Sequence, residues 1–78
     1  MYLVYTKDNC QYCDMAKALL TQQGEDFQTI KLGEGITREE LIAKIPTART
    51  MPQIIKSDST SSVYIGGYTE LKQFLHAA

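Results

Sequence analysis

The chain has 78 residues, 44% of them hydrophobic and 22% charged, with a net charge of −1. That is room for one domain spanning residues 1–78, with the balance of a soluble globular protein. The 8 Lys and Arg residues are scattered and form no basic stripe, which argues against nucleic acid as a partner, and no apolar run approaches the roughly 18 residues of a membrane span.

The opening Met1-Tyr2-Leu3-Val4-Tyr5 lacks the basic region and long apolar core of an export leader, so a cytoplasmic, reducing location is expected. Residues 2–6 are rich in aromatic and β-branched types and read as a short buried strand. Lys7-Asp8-Asn9 is a polar turn with capping residues. From Gln11 to Gln23 the pattern is helical, with Cys13, Ala16, Leu19 and Leu20 on one face and Asp14, Lys17 and Gln22 toward water. Gly24 is the stop. Residues 26–32 alternate apolar with polar and predict a second strand, broken by Gly33 and Gly35.

Thr37-Arg38-Glu39-Glu40 has the form of a capping box, and Leu41, Ile42 and Ile45 supply the apolar face of a short helix that ends at Pro46. Pro52 to Lys56 reads as a third strand, Ser57 to Ser62 as a polar loop, and Val63-Tyr64-Ile65 as a fourth strand pairing with the third. Gly66-Gly67 breaks it. Leu71, Phe74 and Leu75 mark a last amphipathic helix reaching about His76. The order βαβ then ββα implies an α/β fold in which a parallel pair with a right-handed crossover gains an antiparallel hairpin. There is neither an internal repeat nor a linker. Tyr2, Val4, Phe27, Ile54 and Phe74 are expected in the core.

The chain has 2 cysteines, in Cys10-Gln11-Tyr12-Cys13. A strand precedes them and a helix opens on them. At a helix N-terminus, unpaired N–H groups and the positive end of the dipole favour an anion. The thiolate is the nucleophile, and such surroundings lower a cysteine pKa from about 8.5 to roughly 3.5–7.5. Cys10 sits at that end, while Cys13 lies one turn inside and should be more buried. Lys7 adds positive charge nearby; Asp8 and Asp14 oppose it. The spacing lets Cys10 attack a target disulfide and Cys13 resolve the mixed disulfide. A small structural disulfide, or half of a zinc site with His76, is the plainer alternative. His76 is expected to be a solvated residue, and no metal is expected.

Three stretches extend the reading. Thr50-Met51-Pro52-Gln53 resembles the Thr-Val-Pro segment of glutaredoxins, and Gly66-Gly67-Tyr68-Thr69-Glu70 resembles their Gly-Gly motif before the last helix. Residues 34–41 resemble the corresponding loop and helix of bacterial members. With the Cys-x-x-Cys, these motifs stand in family order along the whole chain. The resemblance implies the compact thioredoxin fold, a four-stranded mixed sheet with three helices. It implies a dithiol enzyme that reduces protein disulfides or glutathione mixed disulfides, with glutathione as reductant and no tightly bound cofactor, acting as a monomer. Pro52 would be the family's cis-proline, with Met51 offering backbone to an extended ligand. Gly67, Tyr68, Thr69 and Glu70 would receive the γ-glutamyl end of glutathione at a helix N-terminus. Tyr12 would flank the ligand; Arg49 and Lys7 would meet its carboxylates, and Thr50 completes the segment before Pro52.

Two departures stand out. Gln11 replaces the proline of the common Cys-Pro-Tyr-Cys loop, which restores an N–H beside Cys10 and predicts a changed reduction potential. Loss of that proline also resembles glutaredoxins that hold a bridging iron–sulfur cluster as dimers. The second departure is Lys56–Ser62, which reads as longer than the family's usual hairpin turn and tolerant of shortening. Two other functions are therefore weighed, a cluster-carrying dimer and a thioredoxin-like donor to one protein such as ribonucleotide reductase. The missing Trp-Cys-Gly-Pro-Cys loop counts against the second of these.

Overall fold

Strand β1 (Tyr2–Thr6) is apolar on both faces, and that places it inside the sheet. Successive side chains of a strand point to opposite faces. Tyr2 and Val4 accordingly enter one core cluster, Leu3 and Tyr5 the other. The structure, a computed structural model, describes residues 1–76. After β1 come α1 (Gln11–Gln22), β2 (Phe27–Lys31), α2 (Arg38–Lys44), β3 (Gln53–Ser57), β4 (Ser62–Gly66) and α3 (Tyr68–His76).

The sheet order is β2-β1-β3-β4. Strand β1 runs parallel to β2 and antiparallel to β3, and β3 and β4 form an antiparallel hairpin. This is the mixed four-stranded sheet with three helices that the motif order implies. Helices α1 and α3 cover one face, where Ala16, Leu20 and Leu71 meet Tyr2, Val4 and Ile54. Leu41 and Ile45 cover Tyr5 on the other face. Leu20, Leu71 and Ile54 are each at 0% exposure, and each such burial is worth about 1.5–3 kcal/mol. Among the described residues, no helix is long and apolar enough to cross a membrane.

Local chemistry sets the helix ends. Helix α1 stops in a Schellman motif: the N–H of Glu25 donates to the Leu20 carbonyl at 3.0 Å and that of Gly24 to Thr21 at 3.1 Å. Gly24 has φ +70°, a value that glycine adopts without steric cost. The capping box at Thr37 is complete. The Glu40 N–H donates to the Thr37 hydroxyl oxygen at 3.1 Å, and the Thr37 N–H donates to the Glu40 carboxylate at 2.9 Å.

Several expectations need correction. Phe74 is 38% exposed, on the outer side of α3 under the Lys56 ammonium, 5.6 Å from its ring. Phe27 is half-buried at the margin of the core, because β2 is an edge strand. Ile42 is 42% exposed, since a two-turn helix turns only Leu41 and, at its cap, Ile45 inward. Helix α3 starts at Tyr68, before its first buried leucine. The hairpin loop is also tighter than its composition implied. Pairing continues to Ser57 and Ser62, and the Asp58 carboxylate accepts from the N–H groups of Thr60 at 2.9 Å and Ser61 at 2.8 Å. These bonds, Thr60 first, hold the Asp58 carboxyl below its ordinary 3.8. Shortening this loop would remove a formed turn.

The capping box carries a pH signature. The Glu40 carboxyl is held below its ordinary 4.5 by the Thr37 N–H first and the Thr37 hydroxyl second. A carboxyl lowered on folding adds stability that is fully present above its unfolded value and is lost as pH falls through the folded one. The Thr37 amide resonance should therefore titrate with a midpoint below 4.5, with weaker protection of that amide on the acid side. A midpoint at or above 4.5 in an NMR titration would refute the reciprocal cap.

Candidate active site

The cysteine loop is positioned by the end of β1 and the start of α1. Between them, Asn9 takes φ +54°, a left-handed turn that asparagine tolerates better than most residues. The turn delivers Cys10 to the N-cap of α1 with extended backbone, φ −116° and ψ 100°. Cys10 and Cys13 are joined as a disulfide with Cα atoms 5.2 Å apart, so the structure shows the oxidised protein. The Cys13 N–H donates to the Cys10 sulfur at 3.1 Å. Cys13 has 1% exposure and belongs to the buried face of α1; Cys10 is half-buried.

The two acids nearest the loop are engaged with lysines. Asp8 pairs with Lys31 at 2.6 Å, and Asp14 with Lys17 at 3.3 Å. The Asp8 hydrogen bond is the main cause that raises the Lys31 ammonium pKa. Lys7 is exposed, on the turn before Cys10.

The residues singled out in the sequence fall into two adjoining grooves. Tyr12, Thr50, Met51, Pro52, Gly67, Tyr68, Thr69 and Glu70 line one of about 250 Å³. Lys7 and Arg49 lie outside it, in a neighbouring groove of about 430 Å³ that shares Thr50 and Met51. Three separate segments of chain thus meet beside the disulfide. Tyr12 and Tyr68 pack as an aromatic pair on the wall of the first groove, ring centroids 6.0 Å apart. The Met51–Pro52 bond is cis, and Pro52 is buried. Met51 stands just outside the β3 ladder, whose pairing with β1 ends at Gln53.

Gln53 and Tyr64, whose part in the site sequence reasoning missed, hold this segment. Gln53 is 4% exposed, donates to the Thr50 carbonyl at 2.6 Å, and accepts from the Tyr64 hydroxyl at 2.5 Å. The signal was a polar residue at the start of a strand, directly before two isoleucines. The second omission concerns the glycine pair. The Glu70 carboxylate turns back and accepts the Gly67 N–H at 2.7 Å. A Cβ on Gly66 would meet Glu70 side-chain atoms at 2.9–3.0 Å, and one on Gly67 would meet the Glu70 carboxylate at 3.2 Å. Glu70 is thus first a cap for α3, with its charge held at the groove wall.

Among the described residues, no group of three or more His, Cys, Asp or Glu is placed to hold a metal ion. In chemical terms the site is a dithiol–disulfide couple, one sulfur accessible and one buried, next to a groove with exposed backbone and a helix N-terminus.

Comparison with known proteins agrees with this geometry. The family model described as Glutaredoxin matches residues 3–59. Glutaredoxin 3 of Escherichia coli K12 is 41% identical over 69 residues, 87% of this chain and 77% of that protein. Glutaredoxin of Enterobacteria phage T4 is 33% identical over 88 residues, 95% of this chain and 98% of that protein. The crystal structure of a buckwheat glutaredoxin–glutathione complex shares the fold, with a TM-score of 0.73 at 24% identity over 97% of this chain and 69% of that one.

The glycine pair yields an ordered expectation. Gly66 has φ +120° and would place a Cβ against the Glu70 stem, whereas a Cβ on Gly67 would meet the movable carboxylate at 3.2 Å and the Pro52 carbonyl at an ordinary 3.5 Å. Gly66→Ala should cost about 1–3 kcal/mol of stability, and Gly67→Ala less. Urea denaturation of both variants checks the order; equal costs would contradict it.

Proposed function

The chain belongs to the glutaredoxin family and is a thiol–disulfide oxidoreductase; we propose that glutathione is its reductant and that its substrates are protein disulfides and glutathione mixed disulfides. The observation that carries this reading is the groove beside the disulfide. It offers the backbone of Met51, the N-terminus of α3 and the Glu70 carboxylate within one wall system. Glutathione is an extended tripeptide whose γ-glutamyl end bears both a carboxylate and an ammonium. With the Gly67 N–H taken by Glu70, the first-turn N–H groups of Tyr68 and Thr69 meet that carboxylate. The Glu70 charge suits the ammonium. The glutathione cysteine pairs with Met51 as an added strand. Its glycyl carboxylate extends past Thr50 toward Arg49 and Lys7 in the neighbouring groove. The Tyr12–Tyr68 pair closes one side. The buckwheat relative, crystallised with glutathione, supports a ligand of this kind.

The two sulfurs divide the work by position. In the reduced protein the Cys10 thiolate lies at the positive end of α1, with the Cys13 N–H aimed at it. An incoming disulfide reaches Cys10 and not Cys13, which is at 1% exposure. Attack by Cys10 forms a mixed disulfide and releases one substrate thiol. Cys13 then gives up its proton and attacks Cys10, releasing the second thiol and leaving the Cys10–Cys13 disulfide. Two glutathione molecules restore the dithiol and leave as glutathione disulfide, so two electrons and two protons move in each half of the cycle.

The roles predict unequal variants. In an assay with a glutathione mixed disulfide, Cys10→Ser should fall below about 1% of wild-type turnover, because the nucleophile is gone. Cys13→Ser should keep a substantial part of that turnover, because glutathione itself can resolve the intermediate, while losing reduction of intramolecular protein disulfides. Equal survival of both variants would reverse the assignment. Failure of glutathione to reduce the wild-type disulfide would remove it as the reductant.

A further inference from the structure

The first residue of β3 is a glutamine where packing alone asks for an apolar side chain. Gln53 is 4% exposed and stands opposite Tyr5 of β1, on the face of the sheet that Leu41, Ile45 and Ile55 fill. A buried amide is costly unless it is bonded, and this one is bonded at both ends. Its nitrogen donates to the Thr50 carbonyl at 2.6 Å, and its oxygen accepts from the Tyr64 hydroxyl at 2.5 Å. A carbonyl oxygen can only accept, so Thr50 fixes which way round the amide sits. The Tyr64 hydroxyl is then obliged to donate. Tyr64 lies opposite Ile55, two residues beyond Gln53, and so shares its face of the sheet. A directed relay therefore runs from β4 through Gln53 to the segment before Pro52.

The far end of that relay has little else to orient it. Thr50 is exposed, and among the described residues no backbone–backbone hydrogen bond holds Thr50 or Met51. Water could serve an exposed Thr50 carbonyl as well as Gln53 does; what the glutamine adds is direction. The Thr50–Met51 peptide is trans, so its C=O and N–H point opposite ways. With the C=O drawn to the buried Gln53, the Met51 N–H is turned away from the core. Met51 lines the groove beside the disulfide.

We propose that Gln53 and Tyr64 are positioning residues of the reaction, which aim the Met51 N–H at the backbone of an extended disulfide substrate and so set a preference for peptide disulfides. The proposal rests on the pairing of Met51 with an extended ligand and not on glutathione as the reductant. Neither side chain touches the substrate. Tyr64 is 49% exposed on β4 and acts through Gln53.

The test uses the full chain, reduced with dithiothreitol and desalted, in single turnover with two small disulfides. One is the disulfide of N-acetylcysteine methylamide, with a peptide group on each side of the sulfur-bearing residue. The other is bis(2-hydroxyethyl) disulfide, which has none. In each reaction two electrons and two protons pass from the Cys10–Cys13 dithiol to the small disulfide, giving one protein disulfide and two small thiols. Every rate is divided by that of dithiothreitol with the same disulfide, which removes intrinsic reactivity. On that scale wild type should favour the peptide disulfide about tenfold. Gln53→Met, similar in length but without the amide, should cut the preference to below about threefold by slowing the peptide disulfide alone. Tyr64→Phe, at a half-exposed position where the fold tolerates the change, should lower it in the same direction. A preference unchanged in both variants overturns the relay and leaves the pairing at Met51 standing. Equal slowing of both disulfides also overturns it, because that marks general damage to the site. No preference in wild type removes the pairing and the relay together. Reduction of the wild-type disulfide by glutathione is measured beside these, and its failure with the preference intact counts against glutathione alone.

Discussion

A disulfide exchanger of this kind needs one sulfur in the core and one at the surface, three residues of chain apart, and a helix start supplies that contrast. Cys13 is buried because α1 uses the same face for Ala16 and Leu20 against Tyr2 and Val4. Cys10 stays accessible because the N-cap residue is outside the helix proper. The Asn9 turn is the joint between them, since it lets the chain leave the central strand and enter the helix within a few residues. Moving the helix start by one residue would rotate Cys13 by about 100° and carry it out of the core. The asymmetry of the two thiols is thus a property of packing as much as of charge.

The rest of the site is brought to that helix start by the sheet. Strand β3 lies beside β1, so the segment leading into β3 arrives next to the chain leaving β1. Gln53 fixes its last residues by bonding the Thr50 carbonyl, and Tyr64 of β4 fixes Gln53. The return of the hairpin then delivers Gly66 and Gly67 and the start of α3. A register irregularity at Ile54 and Ile55 absorbs the extra β4 residue just before that glycine. Groove residues distant in sequence therefore converge through only two strand pairings.

Much of this was legible in the residues. The order of elements along the chain, the capping box at Thr37, the stop at Gly24 and the opening of α1 at the cysteines follow from local rules that tertiary packing does not override. The misreadings share another cause. Phe74 and Ile42 are hydrophobic and correctly spaced for a helical face, yet the sheet is too small to cover every apolar position, and Lys56 shields the Phe74 ring. Phe27 was placed in the core by its type, whereas its edge strand admits it only partly. The polar hairpin looked slack because composition does not reveal that Asp58 gathers the loop N–H groups. Lys7 and Arg49 looked like partners of Tyr12 and Thr69, but only the folded surface shows them in a second groove with Arg38.

The contact between Glu70 and the glycine pair has a consequence for how such sequences can change. The side chain of residue 70 fills the space that side chains at 66 and 67 would need, while its carboxylate holds the N–H of Gly67. The three positions are one unit of inheritance, not three. A shorter residue at 70 would vacate room for a methyl group at 67, whereas a substitution at 67 alone must displace the cap of α3. Position 66, with its left-handed backbone, has no such route. Across diverging relatives, positions 67 and 70 should drift as a pair around a fixed glycine at 66.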